Sequence, residues 1–151
     1  MLEPVEVLAV RDMFVSHIAC GEAHSACVSD TGELFMWGTG SYGRLGLGDE
    51  LDYFIPTRVS SLSGVAVASA SLGILHSCCV SRDGELWTWG SGKYGKLGYE
   101  RVSNILSPQK LVSLSGARIV QVSAGKCLVF EIKLVSKLLF LNRSKSYLGC
   151  W

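Results

Sequence analysis

The chain has 151 residues, of which 48% are apolar, so it can bury the core of one domain. Fourteen Lys and Arg residues against thirteen Asp and Glu residues give a net charge of +1, with no basic stripe or acidic tail. These values exclude a disordered chain and a strongly basic protein that binds nucleic acid or a membrane surface.

The N-terminus does not have the pattern of a secretory signal. Residues 1–14 lack the basic start, the long apolar stretch and the small-residue cleavage site of a signal peptide. The most apolar run, residues 128–141, is short for a membrane span and contains Glu131, Lys133 and Lys137, which the bilayer core would penalise. We therefore expect a soluble intracellular protein, in the cytoplasm, the nucleus or both, with no membrane span.

The six cysteines indicate neither a disulfide framework nor a metal site. Without a secretory signal, a reducing compartment is expected. Cys27 and Cys79 hold the same position in two copies of a repeat, as a small buried side chain would. The other four cysteines show no C-x-x-C spacing, and the three histidines form no zinc motif. We expect no metal and no cofactor.

One repeated sequence segment defines the organisation of the chain. Residues 34–46, LFMWGTGSYGRLG, return at residues 86–98 as LWTWGSGKYGKLG, so the period is 52 residues. Aligning residues 4–55 with residues 56–107 needs no gap and gives 19 identities. Pro4, Pro56 and Pro108 mark the same phase. The sequence therefore predicts repeat 1 at 4–55, repeat 2 at 56–107, a partial repeat 3 at 108–132 and a divergent tail at 133–151.

Each full unit contains four segments of strand length and no amphipathic helix. The predicted strands are 15–20, 24–29, 33–37 and a short one near 55–59, and then 67–72, 76–81, 85–89 and a short one near 107–112. Gly32 and Gly84 lie where a tight hairpin needs a positive φ. Four short strands in every unit are typical of a propeller blade.

The glycine-rich segment 38–46 is predicted to be a shaped loop. Four glycines in nine residues exclude a stable helix, because each costs about 1 kcal/mol relative to alanine. Residues 38–43 also match the dinucleotide fingerprint G-x-G-x-x-G. That fingerprint needs a helix directly after it, however, and here Gly46 and Gly48 follow. Because the match recurs at residues 90–95, we interpret it as a part of the repeat where neighbouring blades approach closely.

The third unit begins in register and then loses it. Leu128 stands where the repeat has histidine, Ser136 where it has the hairpin glycine, and Leu141 where it has tryptophan. We predict that the chain leaves the repeat between about Lys126 and Lys133. The expected fold is an all-β, incomplete propeller of about two to two and a half four-stranded blades, and the loss of register predicts that a longer parent encodes the remaining blades.

The spaced pattern G-x-x-H-S-x-x-V-S-x-x-G-x-L-x-x-W-G-x-G-x-Y-G-x-L-G resembles the repeat of the regulator of chromosome condensation family. The resemblance covers roughly residues 4–127, in two near-complete copies and part of a third. It implies a closed β-propeller of seven repeats. Family members include an exchange factor for a nuclear small GTPase, chromatin binders and docking modules. The loops, the wedge and the basic tail on which those activities depend in the founding member have no counterpart here, so no functional residue is transferred.

The resemblance marks sixteen structural repeat landmarks and no catalytic, cofactor-binding or metal-binding residue. They are Gly21, His24, Gly32, Trp37, Gly38, Gly40, Gly43 and Gly46 in the first copy, and Gly73, His76, Gly84, Trp89, Gly90, Gly92, Gly95 and Gly98 in the second.

Histidine and tryptophan side chains also admit functional interpretations. His24 and His76 could act as general bases, since imidazole titrates near neutral pH. A base is needed only once, however, and a ring that bonds to loop backbone is useful in every blade. Trp37, Trp87 and Trp89 could line a ligand cleft, but aromatic residues on strands favour a core between blades. Neither Ser25 nor Ser77 lies in a G-x-S-x-G elbow.

The sequence thus leaves three hypotheses for function. The first is a non-catalytic protein-interaction module that regulates or docks a protein partner, with a small GTPase as one candidate. The second is a guanine-nucleotide exchange factor that acts on a small GTPase. The third is a truncated product of a larger propeller protein, with little independent function. Its open edges and exposed apolar faces would invite aggregation or pairing with other chains, and its partners would include the remaining blades of a parent propeller.

Overall fold

The computed structural model of the chain describes residues 3, 5–100, 102–125, 131–134 and 138–140. Within this part there are eleven strands and five short 3-10 helices. The strands are β1 Val15–Cys20, β2 His24–Ser29, β3 Leu34–Gly38, β4 Tyr53–Arg58, β5 Val67–Leu72, β6 His76–Ser81, β7 Leu86–Gly90, β8 Ile105–Lys110, β9 Ile119–Ser123, β10 Glu131–Leu134 and β11 Leu138–Phe140. The 3-10 helices are Leu8–Val10, Ser41–Gly43, Ser60–Leu62, Lys93–Gly95 and Val112–Leu114.

The strands form three antiparallel sheets in which neighbours in sequence are neighbours in space. Blade 1 is the sheet β1-β2-β3-β4, blade 2 is β5-β6-β7-β8, and the third sheet is β9-β10-β11. The predicted all-β fold of four-stranded blades is confirmed. The first two predicted strands of each unit have the observed bounds, whereas the predicted fourth strands begin two residues too late.

The β2–β3 and β6–β7 turns explain several of the repeated letters. Gly32 and Gly84 have φ of 91° and 84°, in the left-handed region that favours glycine. The hydroxyl of Ser29 accepts a hydrogen bond of 2.9 Å from the Glu33 amide, and the equivalent Ser81–Glu85 bond is 3.1 Å. Each serine therefore closes its own hairpin, which accounts for the repeated serine, and the positive φ accounts for the repeated glycine.

The hydrophobic core lies between the sheets as layers. One cluster joins blade 1, through Val28 and Met36, to blade 2, through Val67 and Trp89. A second cluster joins the opposite face of blade 2 to β9. Period-2 alternation in β6 places Ser77 and Cys79 towards blade 1 and Cys78 and Val80 towards β9. Blade 2 is consequently covered on both faces.

The observed sheets are shifted in phase against the predicted repeat units. Strand β4 crosses the predicted boundary between residues 55 and 56, so blade 1 extends from Val15 to Arg58. Strands β10 and β11 pair with one another, and β10 pairs with β9. The backbone thus continues in a sheet at 131–134 and 138–140, which includes part of the predicted tail. The division into units stays a prediction, and the remainder of the tail lies outside the described residues.

Helices long and apolar enough to span a membrane are absent from the described part of the chain.

Candidate functional site

The contact between blades 1 and 2 is organised around one backbone carbonyl. The Arg44 carbonyl accepts a hydrogen bond of 2.7 Å from the Ser77 hydroxyl and one of 2.9 Å from the Trp89 indole nitrogen. His24 Nε2 lies 2.9 Å from the Ser77 oxygen. Because the single hydroxyl proton of Ser77 points to Arg44, His24 must donate its Nε2–H. Four landmark or neighbouring residues thus form one buried network between consecutive blades.

His24 is neutral near pH 7 in this network. Burial lowers its pKa to about 4, helped by the charges of Arg44 and His76. Protonation would place a second N–H on Nδ1, which is buried and accepts no hydrogen bond in the described structure. The ring donates to Ser77 within the contact between the blades, and its assignment as a structural landmark stays a prediction.

Gly21 makes room for the His24 ring. A Cβ built on Gly21 would lie 2.5 Å from His24 Cε1, and one on Gly73 would lie 2.3 Å from His76 Cε1. Atoms at such distances overlap, so the spacing G-x-x-H requires glycine for steric reasons. The same explanation holds in both blades.

The glycine-rich loop after β3 leaves blade 1 and lies on blade 2. A Cβ on Gly43 would lie 2.8 Å from the Leu106 Cα. The Gly48 amide donates a hydrogen bond of 3.0 Å to the Leu106 carbonyl. The buried Arg44 guanidinium donates a hydrogen bond of 2.9 Å to the Ile74 carbonyl. The G-x-G-x-x-G match therefore belongs to blade packing, and a 3-10 turn, Ser41–Gly43, takes the place of the helix that a dinucleotide site needs.

The other landmarks also lie in turns, loops or blade contacts. Gly38 and Gly90 end β3 and β7, and Gly40 and Gly92 face the backbone of their own loops at residues 51 and 103. Gly46 packs on Trp89, Gly98 on Leu111, and no described atom lies within 4 Å of a Cβ built on Gly95. Trp89 is fully buried in the core between blades, while Trp37 and Trp87 are half-buried.

Two tyrosines in the glycine-rich loops were not predicted as site residues. Tyr42 and Tyr94 both have φ of 65° and are the only non-glycine residues with positive φ among those described. Their side chains stay 45% and 65% exposed, and Lys93 Nζ lies 5.1 Å from the Tyr94 ring centre. A left-handed tyrosine costs on the order of 1–2 kcal/mol. The sequence signal for these tyrosines was their repetition at the same position of both units, but a sequence pattern does not show the backbone angle φ.

Each blade also carries a small open cavity at the end opposite to these loops. The two cavities measure about 210 and 220 Å³ and lie beside equivalent ion pairs, Glu33–Arg58 at 2.8 Å and Glu85–Lys110 at 2.5 Å. Because the cavity recurs with the repeat, it is a feature of the blade and not a single ligand site.

The described residues contain no cluster suited to metal binding, and three of their four cysteines are buried. No group of three potential metal ligands occurs among them. Cys20, Cys27, Cys78 and Cys79 are free thiols, and burial raises the pKa of Cys27, Cys78 and Cys79. Such thiols stay protonated and are poor nucleophiles.

Comparison with known proteins gives the same repeat. The regulator of chromosome condensation (RCC1) repeat model matches residues 31–80 and 83–130, and a second model of that repeat matches 15–44 and 67–96. The ultraviolet-B receptor UVR8 of Arabidopsis thaliana is 40% identical over 124 residues, which are 82% of this chain and 28% of UVR8. The human E3 ubiquitin-protein ligase HERC2 is 39% identical over 124 residues, 81% of this chain and 3% of that protein.

Solved structures agree on the fold. Human WBSCR16 superposes with a TM-score of 0.74 at 29% identity, over 82% of this chain and 31% of WBSCR16. Saccharomyces cerevisiae Prp20p gives 0.69 at 21% identity, over 77% and 30% of the two chains, and this likeness concerns the fold alone. The chain spans less than a third of the length of each of these proteins. With the repeat model matching both blades, the chain belongs to the regulator of chromosome condensation (RCC1) repeat family.

Proposed function

We propose that the chain is a non-catalytic protein-interaction module that docks its partner on the loops carrying Tyr42 and Tyr94. One observation carries the proposal. The repeated glycines of these loops mostly lie in turns or in close contacts within and between the blades, yet the tyrosine of each loop is held exposed in a left-handed conformation. Strain of this kind often lies at functional positions.

The two tyrosines lie at one end of the blades. The β1–β2 and β3–β4 connections share that end, as the hydrogen bond of 2.8 Å from the Thr39 amide to the Ala23 carbonyl shows. Blade 2 repeats this arrangement with Ser91 and Leu75. Leu51 and Val102, in the same two loops, are also exposed. Exposed aromatic and aliphatic side chains on neighbouring loops form the kind of surface that proteins bind.

A small GTPase is the partner class that we propose. The family resemblance supports it, and the structurally similar Prp20p is described as binding Gsp1p and histones. The catalytic and the non-catalytic hypotheses then differ only in whether the bound GTPase loses its nucleotide faster.

The test uses tyrosine variants that keep the backbone. Asparagine tolerates the left-handed region, so Tyr42→Asn and Tyr94→Asn remove the rings without adding strain. We expect binding to a GTPase from a purified panel, measured by calorimetry, to weaken at least about tenfold in the double variant, as loss of aromatic hot spots does. Val112→Asn, at the opposite end of blade 2, is the matched control.

Two results would contradict the proposal. Binding that the double variant leaves unchanged would place the partner elsewhere, and absence of binding to every GTPase of the panel would remove that partner class. Accelerated release of a fluorescent guanine nucleotide at substoichiometric amounts of the chain would favour the exchange-factor hypothesis instead.

A further inference from the structure

Blade 1 has an apolar face that is covered in blade 2. Ile18 is 71% exposed while its counterpart Ala70 is 5% exposed, and Val15 is 41% exposed while Val67 is 1% exposed. The cover on blade 2 is blade 1 itself, with β1 and β2 against β5. The same repeat positions are therefore built for contact with a blade, and on blade 1 they face solvent.

The open face also repeats the polar part of the contact. Ser25 and Trp37 occupy the positions of Ser77 and Trp89, which donate together to the Arg44 carbonyl. Both are half-buried, and their side-chain donors make no hydrogen bond within the described structure. The open face thus carries two side-chain donors at the repeat positions that bind a backbone carbonyl in blade 2.

The outer strand of blade 1 completes this face. Phe54 is 88% exposed and corresponds to Leu106, the residue against which the Gly43 backbone of the preceding loop lies. The occupant must therefore bring a glycine next to Phe54 and a carbonyl next to Trp37. A loop of the form Y-G-[RK]-L-G on the edge of a blade meets both requirements.

The chain carries such a loop a second time, at residues 90–98. Gly95 corresponds to Gly43, and Lys96 corresponds to Arg44. In the third unit, the positions of Ser77 and Trp89 are held by Val129 and Leu141, whose aliphatic side chains donate no hydrogen bond. Blade 1 is thus better equipped to receive this loop than the third unit of its own chain.

We propose that the open face of blade 1 binds blade 2 of a second copy of this chain, head to tail, through the loop at residues 90–98 of that copy. In the complex, blade 1 of one copy takes the place that the third sheet of the other copy holds on its own blade 2. Val15 and Ile18 of the first copy then replace Ile119 and Val122 of the second. The inference does not rest on the proposed docking of a GTPase, although both proposals use the loop that carries Tyr94. Because one surface meets a different one, the contact is heterologous and can propagate.

The test is sedimentation velocity of the full chain over a range of concentrations. We expect reversible association that Ile18→Asp weakens at least about tenfold, as a charge buried in an apolar contact does. Phe54→Asp, which alters a second exposed residue of the face, should do the same. Gly95→Asn alters the loop and should be as effective, while Gly64→Asn is its control, since Gly64 also has positive φ and open space around it.

Mixing the variants decides the geometry. Ile18→Asp keeps the loop and Gly95→Asn keeps the face, so the mixture should form a one-to-one dimer although neither variant self-associates. Hydrogen exchange at residues 119–123 should rise in that dimer on the Ile18→Asp copy only. A monomer at every concentration, association unchanged by these variants, or a mixture that stays monomeric would each overturn the proposal.

Discussion

Blades 1 and 2 have the same strand order and many of the same residues, yet they differ in what surrounds them. Blade 2 lies between blade 1 and β9, and its Trp89 is fully buried, whereas Trp37 of blade 1 is only half-buried. The difference shows that a repeat residue acquires its energetic role from the neighbouring blade and not from its own. Matched substitutions in the two blades measure that role directly.

The largest difference is expected for the two tryptophans. Trp89→Ala empties a buried site between blades and removes the donor to the Arg44 carbonyl, so it should lower the free energy of unfolding by about 3–5 kcal/mol. Trp37→Ala should cost less than about 1.5 kcal/mol, because that side chain is partly solvated. Urea unfolding followed by circular dichroism, at concentrations where the chain is monomeric, measures both. Equal costs would show that the contact between the blades contributes little.

The second prediction concerns pH. The pKa of His24 is lowered to about 4 by burial and by the charges of Arg44 and His76, so the unfolded chain binds the proton more readily than the folded one. The contribution of His24 is complete above the unfolded pKa of about 6.5 and is lost as the pH falls towards 4, up to about 3 kcal/mol. The free energy of unfolding should therefore fall over this window.

Substitution of His24 separates its share from that of the carboxylates. The glutamine side chain in His24→Gln can still donate to Ser77 but does not titrate. Between pH 7 and pH 4, the free energy of unfolding of this variant should therefore fall by about 3 kcal/mol less than that of the wild type. Urea unfolding at several pH values across the window gives the two slopes. Parallel pH dependence in the two proteins would mean that His24 is solvated in the native state.

Sequence reasoning identified the fold because the repeat fixes where hairpins must turn. Gly32 and Gly84 recur at a place where positive φ is needed, and that local requirement can be read from letters. The sequence did not identify Tyr42 and Tyr94 as site residues. A positive φ contradicts the intrinsic preference of tyrosine, and the packing of the loop imposes this conformation. The sequence also could not distinguish Ser25 from Ser77, since the partner of Ser77 belongs to a different blade.

The smallest difference is expected for those two serines. Ser77→Ala removes the donor to the Arg44 carbonyl and leaves the buried His24 Nε2–H without its acceptor, which should cost about 1–3 kcal/mol. Ser25→Ala should change the free energy of unfolding of the monomer by less than about 0.5 kcal/mol, since the Ser25 hydroxyl has no partner in the described part of the chain. In the head-to-tail dimer, however, Ser25 takes the role of Ser77. The cost of Ser25→Ala should therefore appear only at concentrations where the chain associates, and a cost that is the same at every concentration would contradict that role.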